Sequence, residues 1–203
     1  MSSDPYVYPG TNVLKNLAGL TDYDRLRRFE RMVTTVRAEQ GSPRGRFDLP
    51  HLKAIHRHLF QDVYSWAGEL RTIQLSKGGS DFLFTQFLEQ GVADVHRRIV
   101  RNRFFQGSTA DAFAKGASIV MGDLNHCHPF REGNGRTQLQ FLKQIAYGAG
   151  HHLSLTRLDR DTWNSASKEA NSGSYDAMES ALLAVISPGR SHSQSRSAAV
   201  EMA

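Results

Sequence analysis

One stretch of the sequence, residues 126–138 (HCHPFREGNGRTQ), concentrates residue types that bind phosphate and move protons. Gly133, Asn134 and Gly135 stand directly before a segment with helical periodicity. Glycines at such a position allow a positive φ and turn backbone N–H groups toward one point, and the N-terminal end of a helix favours an anion. Arg136 adds a planar guanidinium that can hold phosphate oxygens in pairs. The pattern therefore predicts an anion site suited to a nucleotide phosphate.

Two further side chains of this stretch indicate metal and proton chemistry. Glu132 adjoins the glycines, where a carboxylate would repel phosphate unless a cation lay between them. Mg²⁺ is commonly shared by one carboxylate and substrate phosphates, so Glu132 is the candidate metal ligand. A histidine ordinarily titrates near neutrality, as a general base should, so His128 is the candidate general base. A zinc site at His126, Cys127 and His128 is disfavoured, because the spacing is cramped and no second Cys or His pair follows at ligand spacing.

The elements that must position these residues are predicted to be helices. Apolar residues recur at spacings of three and four along most of the chain. A T-x-x-D pattern at Thr21, close to a capping box, starts the first helix, and the Gly-Ser-Pro sequence at 41–43 ends it. Further helices are predicted from Asp48, from Thr85 and from Thr109, and over 136–147, 159–170 and 175–186.

One segment departs from the helical pattern. Residues 70–75 have a strand-like composition, SKGGSD at 76–81 is a turn cluster with paired glycines, and residues 82–84 resume the strand pattern. A β-hairpin inserted in a helical domain is the natural interpretation. Because an isolated hairpin is only marginally stable, it must lie against the helices.

Length and composition exclude several classes of protein. The chain has 203 residues, 39% hydrophobic residues and one cysteine, which excludes a disulfide scaffold and fits a reducing compartment. We expect one soluble domain over residues 1–186 and, from its Ser-rich and poorly apolar composition, a disordered tail over 187–203. No apolar run reaches the length of a membrane span and the N-terminus has no secretion signal, so a cytoplasmic location without membrane contact is expected, with a secreted effector as the less favoured alternative.

The net charge of +5 suits polyanionic partners. The basic residues near the N-terminus alternate with acidic ones, and the densest basic run, from His96 to Arg103, contains no interleaved aromatic residue. A solvated helix face is therefore favoured over a nucleic-acid groove, which needs stacking platforms.

The ordered motif H-P-F-R-E-G-N-G-R at 128–136 resembles the signature loop of the Fic family, whose members transfer AMP from ATP to a protein hydroxyl. Other segments resemble the same family in the same order: DPYVYPG at 4–10, HRHLF at 56–60, VYSWAG at 63–68 and TWN at 162–164. Among the branches of the family, the chain is most similar to small toxins encoded with a separate antitoxin. The resemblance implies a mainly α-helical Fic-type domain with an inserted β-hairpin flap.

The resemblance also implies a role for each motif residue. His128 would take the proton from a Ser, Thr or Tyr hydroxyl of the target protein as it attacks the α-phosphorus. Glu132 would hold Mg²⁺ between the α- and β-phosphates of ATP. The cradle for the phosphates would consist of Gly133, Asn134, Gly135 and Arg136.

The hairpin from about Leu75 to Phe84 corresponds to the family's flap, which would align a segment of the target by strand addition. Phe82 on the flap and Asn164 downstream are further candidates for contacts to the nucleoside or the target. The implied target is a bacterial type II topoisomerase subunit or a GTPase.

Restraint by a partner is also implied. The family's inhibitory pattern, [Ser/Thr]-x-x-x-Glu-[Gly/Asn], is incomplete here: Glu39 is followed by Gln40, and Glu169 by Ala170. We therefore expect a small antitoxin to supply the inhibitory helix.

One residue departs from the family pattern, which ends G-N-G-R-x-x-R. Leu139 stands where the second arginine would reach the terminal phosphate. Arg131, Arg71 or Arg157 could supply the missing charge. Two alternatives to AMP transfer stay open on this ground: a degenerate, non-catalytic protein-binding module, or transfer of another nucleotide or phosphate group.

Overall fold

The chain is mainly helical and carries a small antiparallel hairpin, as expected for the fold class. The computed structural model describes residues 4–77 and 79–188. Within these residues the helices are α1 (Tyr23–Glu39), α2 (Leu49–Phe60), α3 (Leu88–Arg101), α4 (Ala110–Cys127), α5 (Asn134–Ala149), α6 (Arg160–Asn171) and α7 (Asp176–Leu183). No helix of the described part has the length and apolar character needed to cross a membrane.

Side-chain caps set the starts of several helices. Asp22, Asp48 and Asp159 each accept a hydrogen bond from the backbone N–H three residues later. Such caps satisfy N–H groups that have no partner within the helix. α1 thus begins after Asp22, one residue later than the pattern at Thr21 predicts. Thr109 accepts from the backbone N–H of Ala112 at the start of α4.

The chain divides into two compact units, and the first contains residues 1–98 and 123–141. In its described part α1 packs against α2. The same unit contains the loop that joins α4 to α5. The apolar core of this unit includes Leu52, Ile55, Leu59, Phe60, Val63, Leu88, Val92, Val95, Leu124, Phe130 and Phe141.

The second unit contains residues 99–122 and 142–203. In it α6 packs against α7, and β3 (His151–Leu153) pairs antiparallel with β4 (Ile186–Pro188). The helix predicted over 175–186 is too long, because Val185 and Ile186 bond to the strand at 151–153 and to Ser154 instead of continuing α7. Residues 187 and 188 of the expected disordered tail belong to β4, and residues 189–203 lie outside the described residues.

The hairpin is shorter than predicted, and its paired strands lie nearer the turn. Its ladder is β1 (Ser76–Lys77) with β2 (Ser80–Asp81), inside the predicted turn cluster. The flanking segments 70–75 and 82–84, here called the flap legs, are not paired strands, although the N–H of Phe82 donates to the carbonyl of Leu75. The legs bond instead to the end of α4 and the residues that follow it: the N–H of Arg71 donates to the carbonyl of Pro129 (2.9 Å) and that of Leu83 to the carbonyl of His126 (3.0 Å).

Candidate active site

The motif loop, residues 128–133, leaves α4 at His128 and enters α5 at Asn134. His128 has a φ of 43°, and its N–H still donates to the carbonyl of Leu124. A left-handed residue at this position ends a helix and turns the chain away from its axis. The side chain of Asn134 closes the loop, because it accepts from the N–H of Phe130 (2.9 Å) and donates to its carbonyl (2.7 Å).

His128 lies under the flap. The ring of Phe82, itself buried, stacks on the imidazole with the centroids 3.8 Å apart. The Nδ1 atom is buried and makes no hydrogen bond of good geometry with the described residues. Burial lowers the pKa of His128 to about 4; the backbone carbonyl of Asn125 opposes this effect, and the charges of Arg71 and Lys77 add to it. The imidazole is therefore neutral at neutral pH and can accept a proton.

Glycine is present at positions 133 and 135 for different structural reasons. Gly133 has a φ of 81°, and a Cβ there would come within 2.2 Å of the ring of Phe60. Only glycine fits such a position without strain. A Cβ on Gly135 would meet nothing within 4 Å and would point into open space. The start of α5 is thus open at Gly135, where helix geometry leaves N–H groups without partners in the helix.

Arg136 is held by residues of α1. Its Nη2 donates to Glu30 Oε1 (2.5 Å), its Nη1 donates to Thr34 Oγ1 (3.2 Å), and its guanidinium lies 4.6 Å from the ring centroid of Phe60. The hydroxyl of Tyr64 donates to the other oxygen of Glu30. Burial and the nearby Glu30 carboxylate raise the pKa of Tyr64. The predicted phosphate ligand is therefore already paired with a carboxylate.

Glu132 supplies the one carboxylate of the motif, and this carboxylate is half-exposed. Its Oε1 accepts from the N–H of Gly133 (2.8 Å) and lies 3.6 Å from Nη2 of Arg136, and its side chain is 45% exposed. The described residues contain no group of three or more His, Cys, Asp or Glu side chains placed to hold a metal ion. A single accessible carboxylate fits Mg²⁺ only if substrate oxygens and water complete its coordination, which is the usual arrangement for this ion with phosphates.

A buried histidine supports the loop from below. His56 Nδ1 accepts from the N–H of Gly68 (2.8 Å), so Nε2 carries the proton and donates to the carbonyl of Glu132 (3.0 Å). Its ring stacks on Phe130 at 3.9 Å. Burial lowers the pKa of His56 to about 4, which keeps the ring neutral.

The structure brings most of the predicted site residues together on this loop and the flap. Two predicted site residues are exceptions, Asn134 and Asn164. The side chain of Asn134 is committed to Phe130, so only its backbone N–H could face a phosphate. Asn164 is exposed on α6 in the second unit, and its predicted contact stays a prediction. Leu139 is half-buried on α5.

Two of the arginines proposed to replace the missing motif arginine have other partners. Arg131 is paired with Asp4 at 2.7 Å. Arg71 is buried and donates to backbone carbonyls, described below. Arg157 belongs to a 3₁₀ turn of the second unit.

Sequence reasoning missed Glu30. Its signal was its place on the inward stripe of α1, between Leu26 and Thr34, both of which are buried. A charged residue on the buried stripe of a helix requires a partner, but the sequence does not show that Arg136, 106 residues away, is that partner.

Comparison with known proteins identifies the family. Residues 46–146 match the model of the Fic/DOC family. A relative from Sinorhizobium fredii, named probable protein adenylyltransferase y4lH, is 41% identical over 77% of this chain and 82% of its own length. The chain belongs to the Fic/DOC family.

Further relatives extend the likeness over more of this Fic chain. The protein adenylyltransferase VbhT of Bartonella schoenbuchensis is 41% identical over 90% of this chain and 38% of its own length. The N-terminal Fic domain of a VirB-translocated effector from Bartonella quintana, solved with bound ADP, superposes with a TM-score of 0.86 at 26% identity and covers 92% of this chain and 96% of that domain.

Proposed function

We propose that this Fic chain is a protein adenylyltransferase, which transfers AMP from ATP to a hydroxyl side chain of another protein. The names of the relatives from Sinorhizobium fredii and Bartonella schoenbuchensis and the ADP held by the Bartonella quintana domain support the activity and the nucleotide. One observation of this chain carries the proposal: a neutral, half-buried His128 stands on the same short loop as the open start of α5.

The reaction needs a base and a site for negative charge. As the target hydroxyl attacks the α-phosphorus, the one basic nitrogen of neutral His128 accepts its proton. A new bond forms between the hydroxyl oxygen and the α-phosphorus, the bond to the β-phosphate oxygen breaks, and pyrophosphate leaves. The N–H groups at the start of α5 and the guanidinium of Arg136 stabilise the negative charge, which is the main contribution a protein makes to such a transfer. Mg²⁺ bound at Glu132 would supply further neutralisation.

The role of the flap is to hold the target. Its ladder is two residue pairs long, and its legs are bonded to His126 and Pro129, on either side of His128 in the sequence. A target segment that adds as a strand to its free edge would be aligned beside His128 by backbone hydrogen bonds. Resemblance to the small Fic toxins suggests a topoisomerase subunit or a GTPase as the target and a small antitoxin as the inhibitor.

The test is transfer of label from α-³²P-labelled ATP, in the presence of Mg²⁺, to proteins of a cell extract. We expect a labelled band with the wild-type chain and none with His128→Ala. The specific rival is a non-catalytic binding module, which Leu139 and the pairing of Arg136 with Glu30 favour. No His128-dependent label with ATP or with the other nucleoside triphosphates would reject the enzyme and support this rival.

A further inference from the structure

Arg71 is a buried arginine in the first flap leg. Its exposed fraction is 2%, and its side-chain hydrogen bonds among the described residues go to backbone carbonyls, not to a carboxylate. Burying a charge without a countercharge is costly, and a well-packed apolar side chain is often as stable or more so. The stability of the fold alone therefore does not explain an arginine at this position.

The guanidinium of Arg71 joins three separate pieces of chain. Nε donates to the carbonyl of His128 (2.8 Å), and Nη1 donates to that of Ile73 in the first flap leg (2.7 Å). Nη2 donates to the carbonyl of Leu83 in the second flap leg and lies 3.4 Å from that of Cys127. The one side chain of Arg71 thus hydrogen-bonds to both flap legs and to His128.

The backbone repeats these connections. The N–H of Arg71 itself donates to Pro129, and that of Leu83 donates to His126. The carbonyl that Arg71 holds belongs to His128, whose φ of 43° is a left-handed conformation that must be held in place by its surroundings. The side chain of Arg71 is therefore placed to fix both the backbone of His128 and the two flap legs beside it.

We propose that Arg71 is a positioning residue, which fixes the distance between the flap and the general base so that a target segment docked on the flap meets His128 in register. The inference rests on the proposed function for its catalytic consequence, but the coupling of flap and loop is a property of this chain alone. Rates of such transfers fall steeply when reacting groups are misplaced by about 1 Å.

An arginine suits this task better than a lysine. Its planar fork offers five N–H donors in fixed directions, whereas an ammonium group is one compact centre with three donors. Lysine at position 71 keeps the positive charge near His128 but cannot bond to both flap legs and the carbonyl of His128 at once. Arg71→Lys therefore separates the geometric effect from the effect of charge.

The test combines hydrogen exchange with labelling, and uses Arg71→Lys, Arg71→Met and the control Arg37→Lys. Arg37 also donates through three nitrogens, but to the exposed side chains of Asp62 and Gln40 at the surface. In Arg71→Lys we expect the backbone amide hydrogens at positions 71 and 83 to exchange at least tenfold faster than in the wild type. Exchange of the amides in the core of α2 should be unchanged. We expect the label transfer rate to fall at least tenfold, while the Kd for a non-hydrolysable ATP analogue changes less than twofold. Arg37→Lys should leave all three measurements unchanged.

Three results would overturn the proposal: unchanged exchange at the flap legs, an acceleration spread evenly over the whole chain, or a loss of analogue binding as large as the loss of transfer. If Arg71→Met does not fold, Arg71→Lys alone decides between these results. If the wild-type chain labels no protein, the proposed function fails, and the exchange data still show whether Arg71 couples the flap to the loop.

Discussion

The ring of Phe82 lies parallel to the imidazole of His128, with an interplanar angle of 14° and a centroid distance of 3.8 Å. The flap thus covers His128 with a side chain, and in the proposed function the same flap holds the target. This cover excludes water from one face of the imidazole, and burial is the largest cause of the lowered pKa of His128.

The pH dependence of AMP transfer should reflect this burial. His128 acts only when neutral, so a pKa lowered to about 4 keeps it active throughout the neutral range. We expect kcat/KM to stay level down to about pH 5 and to fall about tenfold per unit below pH 4. Phe82→Ala should raise the pKa of His128 toward its ordinary value of about 6.5 and move the acid limb upward. A wild-type rate that already falls between about pH 7 and 6 would contradict the assignment.

The two motif glycines should respond differently to alanine. Gly133→Ala should destabilise the fold, by about 1–3 kcal/mol from the left-handed backbone alone, and the contact with Phe60 adds to this. Gly135→Ala should fold normally, or gain up to about 1 kcal/mol of helix stability, yet weaken nucleotide binding because its methyl group occupies the open space at the start of α5. Thermal unfolding and calorimetry with ADP measure the two effects. Equal behaviour of the two variants would argue against a cradle at Gly135.

Glu30 should limit the affinity for nucleotide. Its carboxylate, 2.5 Å from Nη2 of Arg136, competes with phosphate for that guanidinium. Glu30→Gln keeps an acceptor for Tyr64 and removes the charge, so the Kd for ATP should fall about fivefold, equivalent to about 1 kcal/mol. Glu39→Gln makes the same charge change at an exposed position of α1 and should have no effect. An equal gain in both variants would point to the net charge rather than to the pairing.

Restoring an arginine at Leu139 should favour the triphosphate. The resemblance assigns that position to the terminal phosphate, so Leu139→Arg should tighten ATP binding at least threefold and leave ADP binding nearly unchanged. Gln140→Arg adds the same charge one residue later and serves as the control. If Leu139→Arg improves neither binding nor label transfer, the missing arginine does not explain any weakness in activity.

Metal dependence should be traced to Glu132. Glu132→Ala should weaken ATP binding measured in Mg²⁺ and leave binding in EDTA unchanged or slightly tighter, because the variant loses a metal ligand and a negative charge together. Isothermal titration at several Mg²⁺ concentrations makes the comparison. Identical affinities of variant and wild type at every Mg²⁺ concentration would remove Glu132 from the metal site.

Local signals in the sequence predicted the helices and the loop well, but not the contacts between distant segments. Asp48 and Asp159 were identified as helix starts because a cap acts within three residues. The strands at 151–153 and 186–188 were missed, since each is short and forms only by pairing with the other. The flap legs were misread as paired strands, because strand-like composition does not show that their hydrogen bonds go to His126 and Pro129.

The same limit applies to the site. His128, Glu132 and the glycines are adjacent in sequence, so their chemistry could be inferred from their order. Arg71 and Glu30 are joined to them only by folding, and the burial of Arg71 and the low exposure of the Glu30 side chain contradict the ordinary preference of charged residues for the surface.

The bonds from the N–H groups of Arg71 and Leu83 to the carbonyls of Pro129 and His126 are main-chain bonds, so they do not depend on the side chain at position 83 or on any residue of the hairpin tip. Residues 76–81 can therefore change while His128 keeps its place. If the flap docks the target as proposed, target choice can be altered by substitution in this one short segment, which is then the place to graft a new recognition sequence.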